Sequence, residues 1–348
     1  MYIRLLIVCF FGLLKAHEVT VIPAKIEHYG TRDEVHNGLI DEEGGIMEKV
    51  TLFAQKKRDS QETIARKGLL YRHKNAKANI LMCHGFMCNK FDVGFIRSLF
   101  GKEYNFLTFD FRAHGEIAED QVCTFGRDEI YDVVAGAQFM RHHPEIAQLP
   151  LLVYGFSMGA VAAIEAQARY PHLFKGMLLD CPFDSVDKVL KRSLNNLTFS
   201  FCGYQCYMPG RQLLHKYAFH PYVQAMLKPM LKIAACLDRR QVETHICQVK
   251  PEDTIQKIAI PCLFICCKND EKVSIDAITA VYNGAQGFKR LYLMHGRSHC
   301  DPFVYNPEGY GKKLRHYARA ILDGSIRSKR QAKIIEEAVD VGCGGAII

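Results

Sequence analysis

Five residues constrain this chain more than any others: Gly155-Phe156-Ser157-Met158-Gly159. A chain of this length shows G-x-S-x-G by accident with a probability of roughly 0.1, so the flanks decide its meaning. The apolar run Leu151–Gly155 leads straight into it, and the alanine-rich stretch Met158–Arg169, with Ala160, Ala162, Ala163 and Ala166, leaves it. That is the strand–turn–helix that lifts a serine hydroxyl above the edge of a sheet and sets it at a helix N-terminus. The glycines are required because so tight a turn has no room for side chains beside the serine.

The same rhythm continues on both sides. Apolar strands are expected at Ala78–Cys83, Tyr104–Asp110, Lys175–Cys181, Cys262–Cys267 and Phe288–Met294. Helices are expected at Asp92–Phe100, Asp128–His142, Ile275–Tyr282 and Tyr310–Leu322. Alternating apolar strands and helices predict an α/β fold whose mostly parallel sheet is covered on both faces. Two further strand-like runs, Val50–Ala54 and Ile64–Arg72, precede it around a polar turn at Arg58, Asp59 and Ser60. The rhythm stops near Asp187 and resumes near Ile260, which predicts a helical cap inserted into one domain.

The expected organisation is therefore a signal-like or anchor segment at 1–16, an irregular leader at 17–47 and a core at 48–186. A cap at 187–256, the second part of the core at 257–324 and a peripheral tail at 325–348 complete it. The first segment has Arg4 before an apolar stretch, Leu5–Leu14, that is too short to span a bilayer, which takes about 20 residues. Lys15 and Leu14 fit a cleavage site poorly, and a hydrophobic first strand is the alternative. Export, to the periplasm or outside the cell, or membrane association through this segment is expected, with a cytoplasmic location left open.

Composition excludes little. The formal charge of +8 is spread out, with one modest cluster at Arg327, Lys329 and Arg330, so no nucleic-acid partner is expected. Of 14 cysteines, Cys83, Cys181, Cys262, Cys266 and Cys267 lie in apolar runs and read as reduced core residues. Cys202 and Cys206 are the best disulfide candidates; no second ligand pair follows them at zinc spacing.

A serine hydroxyl needs a base. His299, in the loop Gly296-Arg297-Ser298-His299 after the strand Phe288–Met294, stands where a base belongs in the order Ser, acid, His. His295, at the strand end, is its rival. The acid is expected at Asp270, just after Cys262–Cys267, with Asp184, one strand earlier, as the second candidate. Two backbone amides must receive an oxyanion: that of Met158 and that of Phe86, in the loop His84-Gly85-Phe86-Met87-Cys88-Asn89. His84 itself reads as a brace for that loop.

Taken together, His84-Gly85, Asp110-Phe111-Arg112-Ala113-His114-Gly115, the G-x-S-x-G pentapeptide, Asp180-Cys181-Pro182-Phe183, Lys268-Asn269-Asp270 and Gly296–His299 resemble the α/β-hydrolase superfamily. Among its branches the sequence is similar to serine aminopeptidase-like and ester-cleaving enzymes over roughly residues 50–323. Ala113, where the superfamily often has glycine, and Ser274, where proline is common, depart from its pattern. The resemblance implies a structural role for Asp110–Gly115. It also implies hydrolysis of an ester, thioester or amide through an acyl-enzyme on Ser157, Asp270 and His299. The substrate would be a small acyl or peptide molecule, with no metal and no organic cofactor. An acyltransferase using the same three residues, and a binding protein that keeps the fold without catalysis, are the alternatives.

Overall fold

The computed structural model describes residues 45–326 apart from 119, 197, 202–203, 208–209, 226–241, 297 and 300, together with 39–40 and 345–347. The expected leader segment at 1–16 and the basic cluster at 327–330 lie outside the described residues.

Twelve strands are described: β1 Leu39–Ile40, β2 Ile46–Gln55, β3 Thr63–Arg72, β4 Ala78–Cys83, β5 Tyr104–Phe109, β6 Leu151–Phe156, β7 Gly176–Asp180, β8 Thr198–Phe201, β9 Tyr204–Tyr207, β10 Cys262–Cys267, β11 Lys289–Met294 and β12 Gly345–Ile347. The described helices are α1 Ile96–Phe100, α2 Glu129–His142, α3 Met158–Arg169, α4 Val186–Asn196, α5 Arg211–Lys216, α6 Pro251–Thr254, α7 Ile275–Gly284, α8 Pro302–Tyr305 and α9 Pro307–Leu322.

Ten strands form one sheet in the order β1-β2-β3-β5-β4-β6-β7-β10-β11-β12. From β5 to β11 every neighbouring pair is parallel. The hairpin β2–β3 and the β3–β5 pair are antiparallel. Strand order reverses at β4, which has β5 on one side and β6 on the other. In open α/β sheets the crevice at the carboxyl ends of such a switch is where ligands sit. The register Cys83↔Gly155 sets the loop after β4 beside the turn after β6.

Side chains explain why the central strands carry near-continuous apolar runs. Leu81 and Cys83, Leu151 and Val153, and Cys262, Phe264 and Cys266 face one core layer, with α2, α3 and α7. The residues between them, Ile80 and Met82, Leu152 and Tyr154, Leu263 and Ile265, face a second layer with α1 and α9. A strand apolar on both faces must be covered on both. The five core cysteines are buried and carry thiols; burial pushes the Cys262 thiol up to about 12.

Three expectations change. The cap is not wholly helical: after α4 the chain makes an antiparallel hairpin, β8–β9. Its strands, TFSF and YQCY, are too short to show a period against a helical background. The hairpin's side chains from Thr198 to Cys206, and Cys202 entirely, lie outside the described residues, so the disulfide candidate does too. Secondly, the cap ends earlier than residue 256. Thr244 bridges Cys123, Val186 donates to the carbonyl of Val249, and α6 packs on α3 and α7, so 242–256 is part of the core. Thirdly, the tail is not merely peripheral, since β12 pairs with β11 at the sheet edge.

Candidate active site

The turn between β6 and α3 forces Ser157 to φ +52°, ψ −114°, a conformation that L-residues adopt only under constraint. Packing supplies the constraint. A Cβ on Gly159 would stand 2.2 Å from the carbonyl oxygen of Cys83 and 2.5 Å from that of His84; one on Gly155 would stand 2.5 Å from Cα of Ala160. Both glycines let α3 close onto β4 and β6 with no gap. The Ser157 amide donates to the Asp180 carbonyl at 2.8 Å, and its own carbonyl receives the amides of Ala160 and Val161. Gly159→Ala should therefore destabilise the fold by about 1–3 kcal/mol, as overpacking against unyielding backbone does. The midpoint of urea unfolding, against that of the parent chain, checks this.

The structure brings Ser157, His299 and Asp270 together. Ser157 Oγ lies 2.9 Å from His299 Nε2, and His299 Nδ1 lies 2.6 Å from Asp270 Oδ2. The second oxygen of Asp270 accepts the amides of Lys272 and Val273, both at 2.9 Å. Those bonds fix the roles of the two ring nitrogens: Nδ1–H donates to the carboxylate and Nε2 faces the hydroxyl. Burial alone would raise the Asp270 pKa. The hydrogen bond and electrostatic attraction of His299, with the two amides, outweigh it and hold the carboxyl below its ordinary value. Asn269 Nδ2 donates to the Gly296 carbonyl at 2.7 Å and ties the acid loop to the histidine loop.

Asp184 is engaged elsewhere. Its oxygens receive Arg192 at 2.7 and 3.2 Å and the Ser185 amide at 2.9 Å. Burial would raise its pKa, but Arg192, that amide and Lys188 together lower it. His295 is exposed at the end of β11.

The loop after β4 is braced by the segment 110–115. Nε2 of His84 accepts the Phe111 amide at 3.0 Å, and Nε2 of His114 accepts the Met87 amide at 3.2 Å. Buried Lys90 donates to Asp110 at 2.7 Å, and the Asp110 carboxylate would clash with any Cβ on Gly115. His84 and Asp110 thus brace the loop, in line with the reading of His84 as a brace and with the structural role that the resemblance implied for Asp110. The resemblance covers His114 only as part of that structural segment; its contacts with the Met87 amide and the Arg112 carbonyl belong to the folded chain and have no local signal. Ala113 stands at φ +61°, which accounts for the glycine that the superfamily prefers there. Of the loop amides, those of Met87, Cys88 and Asn89 are bonded, to His114, to the Gly85 carbonyl and to Asp92. No such bond engages the Phe86 amide among the described residues. Met158 opens α3, where the first N–H groups of a helix have no acceptor within it.

A buried polar cluster beneath the serine also went unseen. Asp180 Oδ2 accepts Tyr310 Oη at 2.6 Å and Tyr154 Oη at 3.1 Å, and the two hydroxyls lie 2.7 Å apart. Burial raises the Asp180 pKa. The three residues come from β7, β6 and α9, and nothing in their spacing links them.

The sequence profile of the family described as serine aminopeptidase, S33, matches residues 74–301, well over half of the chain. This chain belongs to the serine aminopeptidase family. It is accordingly a hydrolase of the α/β-hydrolase superfamily. A relative in Bacillus subtilis (strain 168), the uncharacterized protein YqkD, is 23% identical over 251 residues, spanning 71% of this chain and 72% of its own length. The fold is similar to that of the esterase Pf2001 of Pyrococcus furiosus, with a TM-score of 0.57 at 17% identity, covering 83% of this chain and 97% of that one. It is also similar to a thermophilic esterase from Thermogutta terrifontis, with a TM-score of 0.51 at 16% identity, over 79% and 99% of the two chains. No helix among the described residues is long and apolar enough to cross a membrane.

Proposed function

We propose that this family member is a serine hydrolase that transfers an acyl group from an ester, thioester or amide to water. One observation carries the proposal: two hydrogen bonds in series join Ser157 Oγ to His299 and His299 to Asp270. The hydroxyl loses its proton to Nε2 as Oγ attacks the carbonyl carbon. Asp270 holds the ring in the tautomer that can take that proton, and stabilises the imidazolium that results. The amides of Phe86 and Met158 receive the charge that develops on the carbonyl oxygen. His299 then gives the proton to the leaving group, and a water molecule deprotonated by the same nitrogen releases the acid. No step calls for a metal or an organic cofactor.

The strained backbone at Ser157, which sets Oγ 2.9 Å from His299 Nε2, favours this reading over a binding protein that retains the fold without chemistry. An ester is favoured as substrate, since two neighbours in fold are described as esterases. An acyltransferase would use the same residues and differ only in the acceptor. The test is a panel of p-nitrophenyl esters from acetyl to palmitoyl, with aminoacyl amides beside it and product analysis in the presence of alcohols. Ester turnover with free acid as product supports the proposal. Transfer to the alcohol without net hydrolysis would replace it by the acyltransferase reading, and no turnover of any member would overturn it.

A further inference from the structure

Cys181 follows β7 directly, with φ +48° and full burial, and the mechanism above gives it no part. Yet its sulfur, a ring nitrogen of His299 and a carboxylate oxygen of Asp270 all lie within 4.8 Å of one another. No other group of three such residues among the described ones comes together in this way. A thiolate, an imidazole and a carboxylate make a borderline-soft donor set suited to zinc. Tetrahedral zinc, with bonds of about 2.0–2.3 Å, separates its ligand atoms by about 3.3–3.7 Å. The cluster reaches that by opening the His299–Asp270 contact, now 2.6 Å, and by an approach of the sulfur, which lies within 4.8 Å of both partners.

We propose that Cys181, His299 and Asp270 form a capture site for zinc-like divalent cations, and that its occupation switches the hydrolase off. The ion takes the place of the proton between His299 Nδ1 and Asp270 Oδ2. The Cys181 thiol gives up its proton to solvent as the sulfur–metal bond forms. The Nδ1 proton moves, through solvent, to Nε2, so the imidazole stays neutral and one proton is released overall. Nε2 then carries hydrogen and cannot accept the proton of Ser157. The three protein ligands leave a fourth position for water. Inhibition rests on the hydrolase reading, whereas metal capture does not.

Both parts are tested on the full chain stripped of metal with a chelator. Cobalt(II) is titrated into the parent chain, Ser157→Ala, Cys181→Ala and Cys181→Ser, and the thiolate-to-cobalt charge-transfer absorption is followed. The parent and Ser157→Ala should each gain one equivalent of cobalt–thiolate absorption that both Cys181 variants lack. The serine variant, close to cysteine in size, shows that the loss comes from the sulfur and not from misfolding. Separately, zinc is titrated into an ester hydrolysis assay, each variant being compared with its own metal-free rate. Cys181→Ala should need at least a tenfold higher zinc concentration for half inhibition. Absorption that is missing in the parent, or unchanged in the Cys181 variants, overturns the site. Equal zinc sensitivity with the cobalt band intact overturns the switch. A parent chain that hydrolyses no ester before metal is added counts against the proposed function, and the cobalt titration still decides the site.

Discussion

Ser157→Ala is expected to lower ester turnover by about 10⁴–10⁶-fold and to abolish labelling by a fluorophosphonate probe, which in the parent chain should modify Ser157 alone. The size follows from what is removed. Without Oγ no acyl-enzyme forms, and only binding and the oxyanion-stabilising amides remain, which in the best-studied serine enzymes leave about 10³–10⁴ over the uncatalysed reaction. Ser157 is almost wholly buried and the change deletes a single oxygen, so stability should hardly move. The check is burst and steady-state kinetics on the same ester, with mass spectrometry of the probe-treated chain. Label found on another serine would show that the elbow is not where the nucleophile lies.

Asp270→Asn should reduce kcat by about 10⁴-fold with little change in KM. An amide presents its NH₂ to Nδ1 and stabilises the tautomer that cannot act as base towards Ser157. Asp184→Asn gives the contrast. It breaks the pair with Arg192, which is only partly exposed, so it should lower stability by about 2 kcal/mol while kcat stays within a few-fold of the parent. Steady-state kinetics and urea unfolding of both variants separate the two roles. The Asp270 change also has a consequence in acid. A carboxyl held below its ordinary pKa in the folded chain contributes stability that is fully present above the unfolded-state value, about 3.9. That contribution is lost as pH falls through the lower, folded-state value. The parent should therefore lose more stability than Asp270→Asn below about pH 4, as acid titration followed by circular dichroism would show.

How far the sequence could be read depended on the range of the interactions involved. Strands β4 and β10 and helix α3 were legible to the residue, because unbroken apolar runs and an alanine-rich helix are local signals. Helix α9 begins three residues before its expected start, at Pro307, where Asn306 accepts the Gly309 amide at 2.9 Å. The pair Asn306-Pro307 is the local signal for that start. Helix α1 is shorter than expected. Asn89 and Asp92 bond to nearby amides and hold the stretch before Ile96 in turns rather than helix. Ser157, Asp270 and His299 were legible because each follows a strand in a recognisable order. The Asp180–Tyr154–Tyr310 cluster and the braces from His114 and Asn269 were not, since each joins residues that only the finished sheet makes neighbours.

The bond from His299 to Ser157 spans 142 positions of chain, and that from His299 to Asp270 spans 29. Loops of that length must close before either bond exists, and their closing is slow beside helix formation. During refolding, helix content should thus recover well before ester turnover. If His299 is the base proposed above, a ribosome-bound chain gains no hydrolytic power until β11 and the loop after it have emerged and docked. On the proposed mechanism, ester turnover reports that the contacts of His299 with Ser157 and Asp270 are in place.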